Sequence, residues 1–354
     1  MPQDKKILIV YNHFPPIAED LKLAFSNVGI QADIFYSTDY QSWFYKKMIR
    51  PINRLARNLR LVRKGADLFE KCDLNFLNFI TLNFKKFYKE SQPNFLLFIH
   101  GIPFGNDVLK DIDIPKVGWW LEPNDHLPEL MKNSASFDIY NSFSQKSVDL
   151  LLSVGVDARY LPHAVNLTTF FKSQVAKIYD VAFVGNWSPW RDDVIWAALQ
   201  VTDHIALHGP QWLKKSKLPK EILNRIYKGP EVLGHDLNHL FNQTHIVLNA
   251  SRIKGSYGLN MRFFEVTGAG ALLLTDPVSE IDKHFKDGLD LMVYQDLEDL
   301  KIKLAQLLKV PDMVSKISRS GQHVVLDQHT YQHLAHQFLL QFEEIMIKKI
   351  KPSS

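Results

Sequence analysis

The richest run of chemistry-bearing residues is 249–276, NASRIKGSYGLNMRFFEVTGAGALLLTD. An apolar run ends at Asn249, a loop containing Gly255 and Gly258 follows, and helical spacing begins near Asn260. Glycines let backbone N–H groups come close to a ligand, and Asn260 has the side chain of a helix N-cap. Arg262 then falls in the first helical turn, where the helix dipole disfavours a cation unless an anion is held there too. A loop, a helix N-terminus and an arginine together suit a phosphate. Glu265, one turn further on, can accept hydrogen bonds from the paired hydroxyls of a ribose. Gly268 and Gly270 end the helix and turn the chain into a second apolar run. Without a ligand, the same string is a plain loop–helix–strand connection with a surface Arg and Glu. Glycines at helix ends are common, so the weight rests on the combination.

The first half of the chain places several titratable groups after apolar runs. His13 follows the first one, in YNHFPP. The carboxyl ends of strands line the ligand crevice of an open α/β sheet, and an imidazole titrates in the range that proton transfer needs. With 14 histidines in the chain, a solvated or locally bonded side chain is an equal reading. His100 in FIHGIP shares that setting, as do Glu122 and Asp125 in WWLEPNDH. Either acid could act as a base or orient a hydroxyl, and Asp125 equally suits the cap of a helix beginning near residue 127. Trp119 and Trp120 have faces that stack on sugars, although aromatic residues in a strand more often fill a core. Asp111 and Asp113 have the spacing of a metal-binding pair, but they precede Pro115 in a turn-like stretch and are expected to face water.

These groups need a frame. Short apolar runs recur at 6–11, 31–36, 94–100, 116–121 and 138–141, then at 179–185, 204–209, 245–249, 271–276 and 290–294, with helical patterns between them. Runs that are apolar throughout suit a parallel sheet covered on both faces. Their spacing leaves room for a crossover helix each time, which predicts two doubly wound α/β units. A length of 354 residues suits two domains. The expected division is 1–160, a linker at 161–175 where no period is visible, 176–335, and a helix at 336–354 with room to return to the first domain. Hydrophobic residues at 46% and charged residues at 23% exclude a disordered or collagen-like chain. Lys and Arg number 42 against 38 Asp and Glu, too small an excess to make nucleic acid the default partner. The single Cys72 excludes a disulfide framework. No apolar run reaches the length of a membrane span and no signal-peptide pattern opens the sequence, so a cytoplasmic protein is expected.

One segment leaves the α/β rhythm. Residues 46–64, KKMIRPINRLARNLRLVRK, hold eight basic residues and no acid, with Met48, Ile49, Ile52, Leu55, Ala56, Leu59 and Val62 at helical spacing. The segment reads first as a solvated helix packed on the first domain, since basic amphipathic helices are common without membrane contact, and second as a surface for anionic lipid or an anionic acceptor.

The strings GLNMRFFE at 258–265 and GALLLTD at 270–276 resemble the signature of group 1 glycosyltransferases of the GT-B superfamily, closest to its spore-maturation-protein-like branch. VAFVGNWSPWR at 181–191, LPHAVNL at 161–167 and FKDGLDLMVY at 285–294 are similar to further segments of that family in the same order. The resemblance covers about residues 158–345. It implies an α/β GT-B fold, two Rossmann-like doubly wound domains facing a central cleft, with a nucleotide-diphospho-sugar on the C-terminal domain and an acceptor on the N-terminal one. Glu265 would bind the ribose. Asn260, Arg262 and the Gly258 amide would bind the diphosphate, with Tyr257 and Leu259 in the same loop. Gly185, Asn186 and Arg191 would face that diphosphate, Arg191 being equally readable as a surface residue. His208, Gly209 and the loop around Val232 would meet the base through backbone groups. His13 would be the catalytic base, with Asp125 and Glu122 as the alternatives. Many retaining members carry an acid where this chain has Tyr257, so the paired-Glu form is absent.

The implied activity is transfer of a sugar from a nucleotide-diphospho-sugar, a UDP-sugar first, to a hydroxyl of a glycan, lipid or protein, as in polysaccharide biosynthesis. No metal and no cofactor beyond that co-substrate is expected, because cationic side chains and helix N-termini can stabilise a departing diphosphate. The expected setting is cytoplasmic, with residues 46–64 as the feature that would touch the inner membrane face. A sugar-nucleotide epimerase of the same fold and a non-catalytic nucleotide-sugar binder are the alternatives.

Overall fold

The computed structural model describes residues 5–12, 15–62, 68–122 and 127–350. The chain forms two compact units. Unit 1 contains Met1–Ser142, Ser147–Leu161 and Leu334–Ser354, and unit 2 contains Phe143–Lys146 and Pro162–His333.

Unit 1 runs β1 (Lys6–Tyr11), α1 (Pro15–Asn27), β2 (Gln31–Tyr36), α2 (Arg50–Asn58), α3 (Phe76–Ser91), β3 (Phe95–Ile99), β4 (Lys116–Trp120), α4 (Leu127–Ser134), β5 (Ile139–Ser142), α5 (Gln145–Ser153) and β6 (Ala158–Tyr160). The first two residues of α5 group with unit 2. The six strands form one parallel sheet in the order β2-β1-β3-β4-β5-β6, with Ile9 opposite both Ile34 and Leu97. Ile7–Val10 and Leu96–Ile99 are fully buried, as strands covered on both faces must be. Trp119 and Trp120 are buried too, which makes them core residues rather than a sugar platform.

The helix expected over 46–64 is shorter in the structure. A π-turn at Tyr45–Ile49 leads into α2, which has Pro51 in its first turn and ends at Asn58, and Arg60 then takes a left-handed φ of 57°. Arg63 and Lys64 lie outside the described residues.

Unit 2 runs β7 (Tyr179–Val184), α6 (Pro189–Leu199), β8 (Ile205–His208), α7 (Trp212–Lys215), α8 (Lys220–Ile226), β9 (Tyr227–Gly229), α9 (Gly234–Asn242), β10 (Thr244–Asn249), α10 (Met261–Gly268), β11 (Leu272–Thr275), β12 (Met292–Val293), α11 (Leu297–Lys309) and α12 (Pro311–Gln328). Its parallel strands lie in the order β12-β11-β10-β7-β8-β9. β10 and β11 are buried along almost their whole length, with apolar residues at Ile246–Leu248 and Leu272–Leu274, which places both strands in the layered core.

The last helix, α13 (Tyr331–Ile350), begins in unit 2 and belongs to unit 1 from Leu334 onward. Phe338 meets Trp119 edge-on at 5.7 Å and Phe342 stacks on Phe95 at 4.6 Å. Buried Gln341 and Asn141 exchange two hydrogen bonds of 2.9 Å. Both Glu344 oxygens accept from Arg159 at 2.7 Å. That pair is part-exposed and adds less than the apolar contacts beside it.

Candidate functional site

In unit 2 the strand order reverses between β7 and β10, because β8 and β9 extend to one side of β7 while β10, β11 and β12 lie on the other. Loops leaving the carboxyl ends of two such strands diverge and leave a crevice. Those two loops carry the strongest sequence signals.

Arg191, in the first turn of α6, ties the loops together. Its Nε donates to the Ala250 carbonyl at 3.0 Å and its Nη1 to the Asn186 carbonyl at 2.8 Å. Burial pushes its pKa down to about 10, Arg262 and Arg252 push the same way, and Asp276 opposes them. It is therefore a half-buried cation whose donors are held by both loops. Asp276 is buried at the end of β11, and both its oxygens accept from the Ser251 N–H, at 3.0 and 2.9 Å. The Trp190 indole N–H donates to it at 3.2 Å, and burial raises its pKa. In the sequence Asp276 closes an apolar run and the GALLLTD string, with no partner evident. An acid directly after a buried apolar run was the available signal.

Asn260 caps α10, its side chain accepting from the Arg262 N–H at 3.0 Å, while its amide group donates to Asn249 at 3.3 Å. Arg262 Nε reaches the Val184 carbonyl at the end of β7 at 3.4 Å, and its Nη1 pairs with Glu265. Glu265 is 5% exposed. Arg252 and Arg262 both act on the charge of Arg191, with Glu265 paired to Arg262 and Asp276 opposing them at Arg191. The local balance is positive, the N-terminus of α10 adds to it, and an anion is what would offset it.

Gly258 departs from its expected role. Its N–H does not stand open for a diphosphate but donates to Glu280 at 2.9 Å. Glu280 is 1% exposed and also accepts from the Gln145 N–H at 3.1 Å and the Ser279 hydroxyl at 2.6 Å. A buried carboxylate needs such donors, and nothing in the sequence near Glu280 signalled the pairing. A Cβ on Gly258, whose φ is +82°, would lie 2.5 Å from the Phe143 ring. Leu259 is fully buried among Phe263, Phe264 and their neighbours, so only its backbone can meet a ligand. Tyr257 is 37% exposed, with Lys146 Nζ 4.2 Å above its ring.

The remaining expected contacts gather at the ends of β7 and β8. The Gly185 N–H donates to the His208 carbonyl at 3.0 Å, and its own carbonyl accepts from Trp212 at 2.8 Å. Gly209 has φ +141°, and a Cβ there would fall 1.9 Å from that same carbonyl, so the close approach requires glycine. Asn186 is exposed. Burial lowers the His208 pKa and Lys228 adds to this; its Nδ1 is buried without a hydrogen-bond partner among the described residues. Val232 is half-buried against Ala182, Ala206 and Leu240.

In unit 1 the strand ends bring Tyr11, His100 and Glu122 together. His100 adopts φ 66°, stacks on Tyr11 at 5.4 Å and places Nδ1 3.2 Å from a Glu122 oxygen. Burial and Glu122 both raise the Tyr11 pKa. His13 and Asp125 lie outside the described residues. Asp113 is fully exposed and pairs with Lys349 at 3.2 Å. Among the described residues, no group of three or more His, Cys, Asp and Glu side chains is gathered as a metal site, and no helix is long and apolar enough to cross a membrane.

Residues 191–340 match the family model described as glycosyl transferase-like. No curated protein matches the sequence. Among solved structures, the chain is similar to sucrose-phosphate synthase from Thermosynechococcus elongatus, with 12% identity, 97% of this chain and 99% of that chain covered, and a TM-score of 0.71. It is similar to TarM, a protein known from S. aureus, with 9% identity, 97% and 100% coverage and a TM-score of 0.67. It is also similar to HepE from Anabaena in complex with UDP-glucose, with 12% identity, 96% and 99% coverage and a TM-score of 0.65. At these identities the likeness is one of fold, and that fold is the two-sheet GT-B architecture. None of these matches reaches the spore-maturation-protein-like branch.

Proposed function

We propose, for a chain whose residues 191–340 belong to the glycosyl transferase-like family on a GT-B frame, that it moves a sugar from a UDP-sugar to an acceptor hydroxyl without a metal ion. The observation that supports this most is the Arg262–Glu265 pair at the capped start of α10, beside half-buried Arg191 at the switch point of the unit 2 sheet. Arg262 and the helix N-terminus would receive the diphosphate, while Glu265 would turn from Arg262 toward the ribose hydroxyls. Arg191 would act chiefly by holding the two loops in register, since its Nε and Nη1 are already committed to Ala250 and Asn186.

In the reaction, the acceptor oxygen bonds to C1 of the sugar and the C1–oxygen bond to the diphosphate breaks. The departing nucleoside diphosphate takes the bonding electron pair, and the acceptor proton passes to a base. His100, held by Glu122 at 3.2 Å, joins His13 and Asp125 as a candidate for that base, and Glu122 becomes its orienting acid. The UDP-glucose complex of HepE and the S. aureus TarM complex with UDP and α-GlcNAc-glycerol agree with a UDP-sugar donor and a glycan or glycosylated alcohol as acceptor class.

Calorimetric titration of UDP, GDP and dTDP, each with and without EDTA, tests the reading. UDP is expected to bind with unchanged affinity in EDTA, and Glu265→Ala to weaken it about 100-fold, as removal of a charged acceptor from two hydroxyls implies. Undiminished UDP binding by Glu265→Ala would remove this site from the mechanism. A second reading, a sugar-nucleotide epimerase, has the support of a fold neighbour described as a putative UDP-N-acetylglucosamine 2-epimerase from Listeria monocytogenes, at 12% identity and a TM-score of 0.56. It would turn over a UDP-sugar with no acceptor present.

A further inference from the structure

Only part of the apolar stripe of the basic segment faces the protein. Ile49, Asn53 and Ala56 are the buried positions of the π-turn and α2, at 1%, 1% and 5% exposure. Met48, Ile52, Leu55 and Leu59, also at helical spacing, stand in solvent with exposures of 47%, 43%, 59% and 59%. Trp43 before them and Leu61 after them are 69% and 73% exposed. Lys46, Lys47, Arg50, Arg54, Arg57 and Arg60 are exposed alongside, and no acid lies between Trp43 and Val62. Lys46, Arg50, Arg54 and Arg57, with Leu55, also line one surface concavity.

A folded chain rarely leaves so many large apolar side chains together in water unless another surface covers them. We infer that residues 43–61 dock unit 1 on the anionic leaflet of a lipid bilayer. Cations alone would suit a nucleic acid equally well, but an aliphatic stripe finds nothing to bury against on a phosphate backbone. At a bilayer the same stripe enters the boundary between headgroups and acyl chains while the cations meet anionic headgroups. Trp43 has the amphipathic ring that favours that boundary. The four cations of the concavity would seat headgroup phosphates. This docking needs no nucleotide, so it stands or falls apart from the donor site in unit 2.

The full-length protein can be sedimented with vesicles of phosphatidylcholine, with and without phosphatidylglycerol, at low and high salt. Binding is expected to the anionic vesicles and to weaken with salt. Replacing Arg50, Arg54 and Arg57 together by Gln should lower partitioning about 100-fold, since each such charge near an anionic leaflet multiplies it about fivefold. Leu55→Ser with Leu59→Ser should lower it about 10-fold or more while leaving every charge in place. Both sets are exposed, and an unchanged Tm together with unchanged UDP affinity would confirm that the fold and the donor site survive. Equal binding to phosphatidylcholine alone would overturn the inference. So would unaltered partitioning of either variant, or tighter binding of duplex DNA than of anionic vesicles.

Discussion

The carboxylate of Glu280 accepts the Gly258 N–H at 2.9 Å and the Gln145 N–H at 3.1 Å, so one buried acid fixes the loop that leads into α10. Glu280→Ala would leave two backbone donors without their acceptor. A loss of about 2–4 kcal/mol is expected in chemical denaturation. A loss below about 1 kcal/mol would mean that the loop is held by its other contacts.

Arg191 offers a test of positioning against charge. Arg191→Lys keeps the cation but cannot donate from Nε and Nη1 to two carbonyls at once. Its UDP dissociation constant is expected to rise about 10-fold, the equivalent of roughly 1.4 kcal/mol for one displaced contact set. An unchanged constant, with the fold intact by circular dichroism, would leave Arg191 without a part in shaping the crevice.

For the acceptor side, His100→Asn is the conservative probe, because Asn tolerates the left-handed φ that His100 adopts better than most residues. UDP affinity should hold within about twofold while sugar transfer falls about 100-fold or more, the usual contribution of a general base. Full transfer by this variant would return the role to His13 or Asp125.

A pH prediction follows from buried His329 and half-buried His284, whose rings lie 4.8 Å apart. Burial lowers their pKa values to about 4 and about 3, with Lys283 adding to the first and neighbouring histidines to the second. Both are depressed below the unfolded value near 6.5, so the neutral pair's contribution to stability is fully present above about pH 6.5. It is lost as the pH falls toward 4 and below. Tm should therefore drop across that interval. His329→Phe, set among Phe264 and Phe285, should flatten the drop without lowering Tm at neutral pH, since His329 Nε2 has no hydrogen-bond partner among the described residues. A slope identical to that of the parent chain would exclude this pair as its source.

The strands were legible because most long ones are dominated by apolar residues, and β1 and β2 begin and end where the runs do. β6 and β9, Ala158–Tyr160 and Tyr227–Gly229, gave no such signal, being three residues of mixed polarity held by edge pairing. Asn260 was readable as a cap because N-capping is local. The Glu280–Gly258 bond was not, since it joins residues far apart in sequence whose meeting depends on the packed sheet. Periodicity found the amphipathic character of residues 46–64 but not its direction. Helical spacing says which residues share a stripe and nothing about which stripe a neighbour covers.

The path of α13 has a consequence for biosynthesis. Phe338, Gln341 and Phe342 complete the packing on Trp119, Asn141 and Phe95, yet they are translated after every strand of unit 2. Until the ribosome reaches them, the nascent first half must wait with aromatic surface uncovered. Premature termination anywhere before residue 334 would thus damage the portion of the molecule made earliest.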